Sequence, residues 1–111
     1  MKSKKTYNAD IDFGCGDGYS ATLRLHTTTY RSNGTLAVFA TEGDEEFATL
    51  TVNIPESGLF CYENTAFIDT NNCPWAEKFL KENKIAKPTG HYGHSGWCSY
   101  PLYEFNLSLF E

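Results

Sequence analysis

Four side chains in the C-terminal half carry the chemistry that a metal ion or a nucleophile needs: Cys73, His91, His94 and Cys98. Together they offer two thiols and two imidazoles, the types and number of ligands a structural zinc takes. Their spacing argues against that use. The interval from Cys73 to His91 is long, only two residues lie between His91 and His94, and no C-x-x-C pair anchors a knuckle. The same residues could pair as thiolate and imidazolium for acyl transfer. That chemistry also needs an oriented base and an oxyanion donor, which no spacing here supplies. The expectation is therefore no metal, no cofactor and no catalytic residue, with a small metal- or Cys/His-dependent enzyme as the alternative.

A second motif is Ile11–Gly18, IDFGCGDG, which resembles the nucleotide-binding turn of S-adenosylmethionine-dependent methyltransferases. Such a turn must open a helix. The residues that follow include Thr22, Thr27, Thr28 and Thr29, which favour strand. A glycine-rich hairpin turn is the preferred reading. His26 reads as an ordinary surface histidine in that strand.

The richest stretch is Thr89–Phe105, TGHYGHSGWCSYPLYEF. It holds two of the three histidines, one of the two tryptophans, three of the seven tyrosines and three glycines. Loops are ordinarily built from Gly, Asn, Asp and Ser, not from Trp and Tyr. Such aromatics either pin a long loop over the helix, with Trp97 stacked near Trp75, or meet a partner, and the two uses are compatible. Trp75, His91, Tyr92, His94, Trp97 and Tyr100 are the candidate binding residues.

The elements that must position them follow from periodicity. Tyr7, Ala9, Ile11 and Phe13 alternate with polar residues, the period-2 pattern of a half-buried strand. Alternation resumes from Tyr19 to Tyr30, and Asn33-Gly34 predicts a hairpin into a strand over Thr35–Thr41. The acidic Glu42–Glu46 reads as a solvated hairpin tip. It leads to a strand over Phe47–Ile54 with Ala48, Leu50, Val52 and Ile54 on one face, ended by Pro55. Leu59–Tyr62 and Ala66–Asp69 read as short strands or extended loop. One helix follows, with Pro74 at its first position and Asn72 or Cys73 as cap. Trp75, Phe79 and Leu80 form its apolar stripe, and Glu77–Lys81 and Lys78–Glu82 its i,i+4 pairs. A last strand runs from Tyr103 to Leu109. The fold class is α+β: an antiparallel β-meander sheet of about five strands with one α-helix packed on one face.

At 111 residues the chain is expected to form a single α+β domain over 1–111. Its 41% hydrophobic and 15% aromatic content excludes general disorder. No apolar run approaches the ~20 residues of a membrane span, and the basic start has no apolar segment behind it, so a membrane or secretory role is not expected. With a net charge of −5 and no basic patch beyond Lys2, Lys4 and Lys5, direct nucleic-acid binding is not expected either. The four cysteines are widely spaced, as suits free thiols in a reducing cytoplasm.

Three strings in order, FATLTVNIP (Phe47–Pro55), AFIDTNNCPWAEKFL (Ala66–Leu80) and KPTGHYGHSGWCSYPLYEF (Lys87–Phe105), resemble a family of small uncharacterised bacterial proteins. Its members are found on conjugative transposons and other mobile elements. The resemblance covers about half of the chain and implies a cytoplasmic accessory protein encoded among the genes of such an element. The family has no assigned activity, so it transfers no catalytic residue. The expected function is a non-enzymatic module that binds a protein partner through the aromatic segment. An acidic inhibitor of a host defence nuclease is a further alternative.

Overall fold

The computed structural model describes residues 2–12, 18–31, 34–54 and 64–110. The proposed strand at Leu59–Tyr62, the breaker Pro55, most of the GCGDG turn, Asn33, Cys15 and Cys61 lie outside these residues. The described chain contains eight strands and one α-helix: β1 (Tyr7–Ile11), β2 (Tyr19–Thr29), β3 (Leu36–Glu42), β4 (Glu45–Thr49), β5 (Thr51–Val52), β6 (Thr65–Ile68), α1 (Ala76–Glu82), β7 (Ala86–Ser95) and β8 (Cys98–Phe105). A 3₁₀ turn (Leu107–Leu109) follows β8. The α+β class holds, but the strands form two four-stranded antiparallel sheets, ordered β1-β2-β3-β4 and β5-β6-β8-β7, rather than one sheet of about five.

The division happens at Leu50. The expected strand over Phe47–Ile54 is split there into β4, in the first sheet, and β5, in the second. The Leu50 N–H donates to Val38 O of β3 at 2.9 Å, and its carbonyl accepts from Asp69 N, just past β6, at 2.8 Å. Ala48 and Leu50 then belong to the main core, whereas Val52 and Ile54 join a smaller cluster with Phe67, Tyr100 and Leu102. Thr51, which alternation puts on the face opposite Leu50, is also buried, and its hydroxyl accepts the Val38 N–H at 3.1 Å. Sequence alternation continues unbroken around such a corner, so it cannot signal a change of sheet.

The first three strands follow their patterns. Ile11 pairs with Tyr19 across the glycine-rich segment, so this segment joins antiparallel strands and no helix follows it. That removes the structural basis of the methyltransferase reading. Gly34, at φ +71°, donates to Tyr30 O at 2.8 Å and closes the β2–β3 connection. In β1, Tyr7, Ala9 and Ile11 face the core, as do Ala21, Leu23 and Leu25 of β2. The N-terminal residues join this layer too. Ser3 N donates to Leu25 O at 2.6 Å, and its hydroxyl accepts from Leu25 N at 3.0 Å.

Helix α1 seals the main core. It starts at Ala76, two residues later than Pro74 would suggest, with Trp75 as a cap residue that makes no side-chain capping bond. The preceding turn is held by the Asp69 carboxylate, which accepts Asn72 N at 3.2 Å and Asn72 Nδ2 at 2.9 Å. Phe79 meets Trp75 edge-on at 5.8 Å and Tyr7 of β1 at 6.4 Å, and Trp75 meets Phe47 of β4 at 6.0 Å. Burying such aromatics contributes roughly 2 kcal/mol each. Of the expected pairs, Lys78–Glu82 forms at 3.8 Å. Glu77 instead turns inward and accepts the Tyr103 hydroxyl at 2.8 Å.

The expected last strand ends early. After Phe105, Asn106 Oδ1 accepts from Ser108 N and Oγ at 3.3 and 2.6 Å, which winds Leu107–Leu109 into the 3₁₀ turn instead of extending the strand.

Candidate functional site

The aromatic segment is not a loop. It is the β7–β8 hairpin, with Tyr92 opposite Pro101, Gly93 opposite Tyr100, His94 opposite Ser99 and Ser95 opposite Cys98. Its turn is the dipeptide Gly96-Trp97, with φ +61° at Gly96. A positive φ at the first central position is the requirement of a type II′ hairpin turn, and glycine meets it without strain. Beyond a register shift between Pro88 and Tyr92 the strands run paired from Tyr92 to the tip, which carries Trp97.

The six candidate residues divide between two environments. Trp75 and Tyr100 are core, at 4% and 8% exposure. His91, Tyr92, His94 and Trp97 are exposed, Tyr92 at 56% and Trp97 fully. The expected stacking of Trp97 on Trp75 does not occur, because Trp75 is enclosed by Phe47 and Phe79 while Trp97 stands on the turn. Opposite residues of an antiparallel pair share a face. Tyr92 and His94 therefore lie with Pro101 and Ser99 on one face, and Ser95, Cys98 and Tyr100 on the other. The second face is floored by Phe67, whose ring lies over Gly93: a Cβ there would stand 2.6 Å from Phe67 Cε1.

The proposed ligand and nucleophile set does not assemble. Cys73 is buried ahead of α1, and its thiol donates to Thr49 O at 3.5 Å. His91 and His94 are on the exposed hairpin, and Cys98 packs on the far face. Among the described residues no three His, Cys, Asp or Glu side chains converge on a metal-sized site. Burial, with help from Asp69, pushes the Cys73 thiol up to about 11, so it stays protonated near neutral pH and is a poor nucleophile. Cys98 is likewise free. Its hydrogen bond with Tyr100 is the first cause of that phenol's raised pKa, ahead of burial. Tyr103 is raised by burial and then by its bond to Glu77. His26 is not a plain surface residue. It stacks on Phe39 at 4.8 Å, bonds Thr41 Oγ1 at 2.9 Å, and is held below its ordinary pKa, first by desolvation.

One concave surface escapes a reading focused on aromatics. A groove of about 1020 Å³ opens where α1 ends and β7 begins, with Lys81, Lys84 and Lys87 among its lining residues. Its sequence signal is a lysine at every third position from Lys78 to Lys87, in a chain whose acids outnumber its bases fourteen to nine.

Among the described residues the architecture is that of a small α+β protein: two antiparallel sheets, one sealing helix and a projecting aromatic hairpin. The chain belongs to the DUF4313 family, a domain of unknown function, whose model matches residues 22–111. No curated protein and no solved structure matches it. Among the described residues no helix is long and apolar enough to cross a membrane.

Proposed function

We propose that this chain is a non-enzymatic binding module that presents the tip of the β7–β8 hairpin to a protein partner. The observation that carries the reading is Trp97, fully exposed on a two-residue turn. An exposed tryptophan costs free energy in water, and tryptophan and tyrosine are the residues most enriched where partners bind tightly. Tyr92, His91 and His94 flank it on the same hairpin, giving an apolar centre with a polar surround. Most of β7 is exposed and it forms the edge of its sheet, so a partner can reach the hairpin along its length. The resemblance to proteins of conjugative transposons supports a cytoplasmic accessory role in a bacterial mobile element.

The test places a photoreactive phenylalanine analogue at position 97 in one variant and at exposed Tyr19 in another. The reading expects a discrete adduct from position 97 in the host cell, none from position 19, and loss of the adduct when Tyr92→Ala is added. The identified partner should then bind Trp97→Ala roughly 30-fold more weakly, while folding stability shifts by less than about 0.5 kcal/mol. Equal labelling at both positions, or a Trp97→Ala variant that binds normally, would overturn it.

A further inference from the structure

The groove at the end of α1 lies at the opposite end of β7 from Trp97 and has its own chemistry. Its floor is apolar: Ile85, Ala86 and Phe105 are buried there and Leu107 is half-buried. Lys81, Lys84 and Lys87 approach it from the helix, the connecting turn and β7, and among the described residues Glu104 is the carboxylate in the lining. Among the described residues none of the three lysines forms an ion pair; the one that does is Lys78, with Glu82. Three of the chain's nine basic residues therefore converge on one concavity of an acidic protein, and of the three only Lys87 has a carboxylate, Glu104, opposite it in the strand register among the described residues.

One ordinary explanation accounts for part of this. The negative end of the helix dipole favours Lys81 and Lys84 near the C-terminus of α1. It does not account for Lys87, which belongs to the strand. Nor does it explain Lys84's backbone. That residue sits at φ +56°, the one non-glycine residue with positive φ among the described residues. Lys84 N donates to Lys81 O at 3.2 Å and Ile85 N to Leu80 O at 2.9 Å, the bonding of a Schellman motif, where glycine is the usual occupant. A lysine there carries a steric penalty that glycine would avoid, and in return places an ammonium on the groove.

From this geometry we infer that the groove binds a phosphate-bearing small molecule of the nucleotide class. Lysine ammoniums serve as point charges for phosphate oxygens. The apolar floor suits the flat, weakly polar body of a base, and Glu104 accepts from N–H or O–H donors such as ribose hydroxyls. The volume of this open groove, about 1020 Å³, is at the upper bound of small-molecule sites, roughly 300–1,000 Å³.

The test is amide-resolved NMR titration of the full chain with ATP, with pyrophosphate and with a single-stranded oligonucleotide. ATP should shift the Lys84, Ile85, Lys87 and Asn106 amides saturably, and more tightly than pyrophosphate. Lys84→Gly should raise Tm, by relieving the backbone, and yet weaken ATP roughly tenfold. Lys87→Gln should weaken it similarly without raising Tm. The inference is overturned if millimolar ATP leaves these amides in place, or if Lys2, Lys4 and Lys5 respond equally. Lys84→Gly gaining stability with unchanged ATP affinity would overturn it too, as would the oligonucleotide alone binding. Pyrophosphate binding as tightly as ATP would remove the nucleoside from the proposal.

Discussion

Tyr7 shows what a single buried polar atom does. Its ring packs edge-on against Phe79 and under the Lys5 ammonium, 5.3 Å from the ring centre. Its hydroxyl is buried with no hydrogen-bond partner among the described residues, and burial raises its pKa. An unsatisfied buried hydroxyl costs roughly 1–3 kcal/mol. Tyr7→Phe keeps the ring and removes the cost, so a gain of about 1 kcal/mol is expected, seen as a Tm higher by roughly 4 °C. A lower Tm would mean that the hydroxyl has a partner after all. Cys73 is the contrasting case. It looked like a reactive thiol by type, yet it is a small buried side chain whose sulfur is bonded to Thr49 O. The burial of Tyr7 was legible from the alternation of β1; the missing partner of its hydroxyl and the place of Cys73 were not, because they depend on which strands arrive from elsewhere.

At the scale of elements, the β7–β8 hairpin depends on what fills its far face. Phe67 of β6 lies on Gly93 of β7, and the two strands are separated by β8. Gly93→Ala would drive a methyl into that ring, since Cβ would also lie 2.9 Å from Phe67 Cζ. The expected cost is about 1–3 kcal/mol, measured by chemical denaturation. Adding Phe67→Leu should recover part of it, because residues in contact are non-additive. An unchanged midpoint for Gly93→Ala would show that the ring is free to move. Gly90, Gly93 and Gly96 recur at every third residue, but the stretch reads as a loop until strand pairing is known. Tyr92 and His94 alternate with Gly93 and Ser95, and an absent side chain hides the period-2 pattern that identified β1 and β2. The helix was legible from Phe79 and Leu80, although Asp69 rather than Asn72 or Cys73 supplies the oxygen that orders its approach. Of the six candidate residues, the four exposed ones could be named by type alone. The lysine groove could not, because Lys81, Lys84 and Lys87 meet only when a helix, a turn and a strand come together.

For the whole molecule, the feature with the widest reach is the corner at Leu50. Its amide is bonded to one sheet and its carbonyl to the chain just past a strand of the other, while Thr51 returns its hydroxyl to Val38. Tyr30 adds a further bond to that hydroxyl at 2.9 Å. Neither sheet can peel away without breaking bonds held by its neighbour, so the two should open as one cooperative unit. Native-state hydrogen exchange reads this directly. The Val38, Leu50 and Asp69 amides are expected to share a single opening free energy close to that of global unfolding. Two distinct values would divide the chain into separate foldons. With a shared value, a load applied to the hairpin is resisted by the full cooperativity of the molecule, because its anchoring sheet has no independent melting of its own.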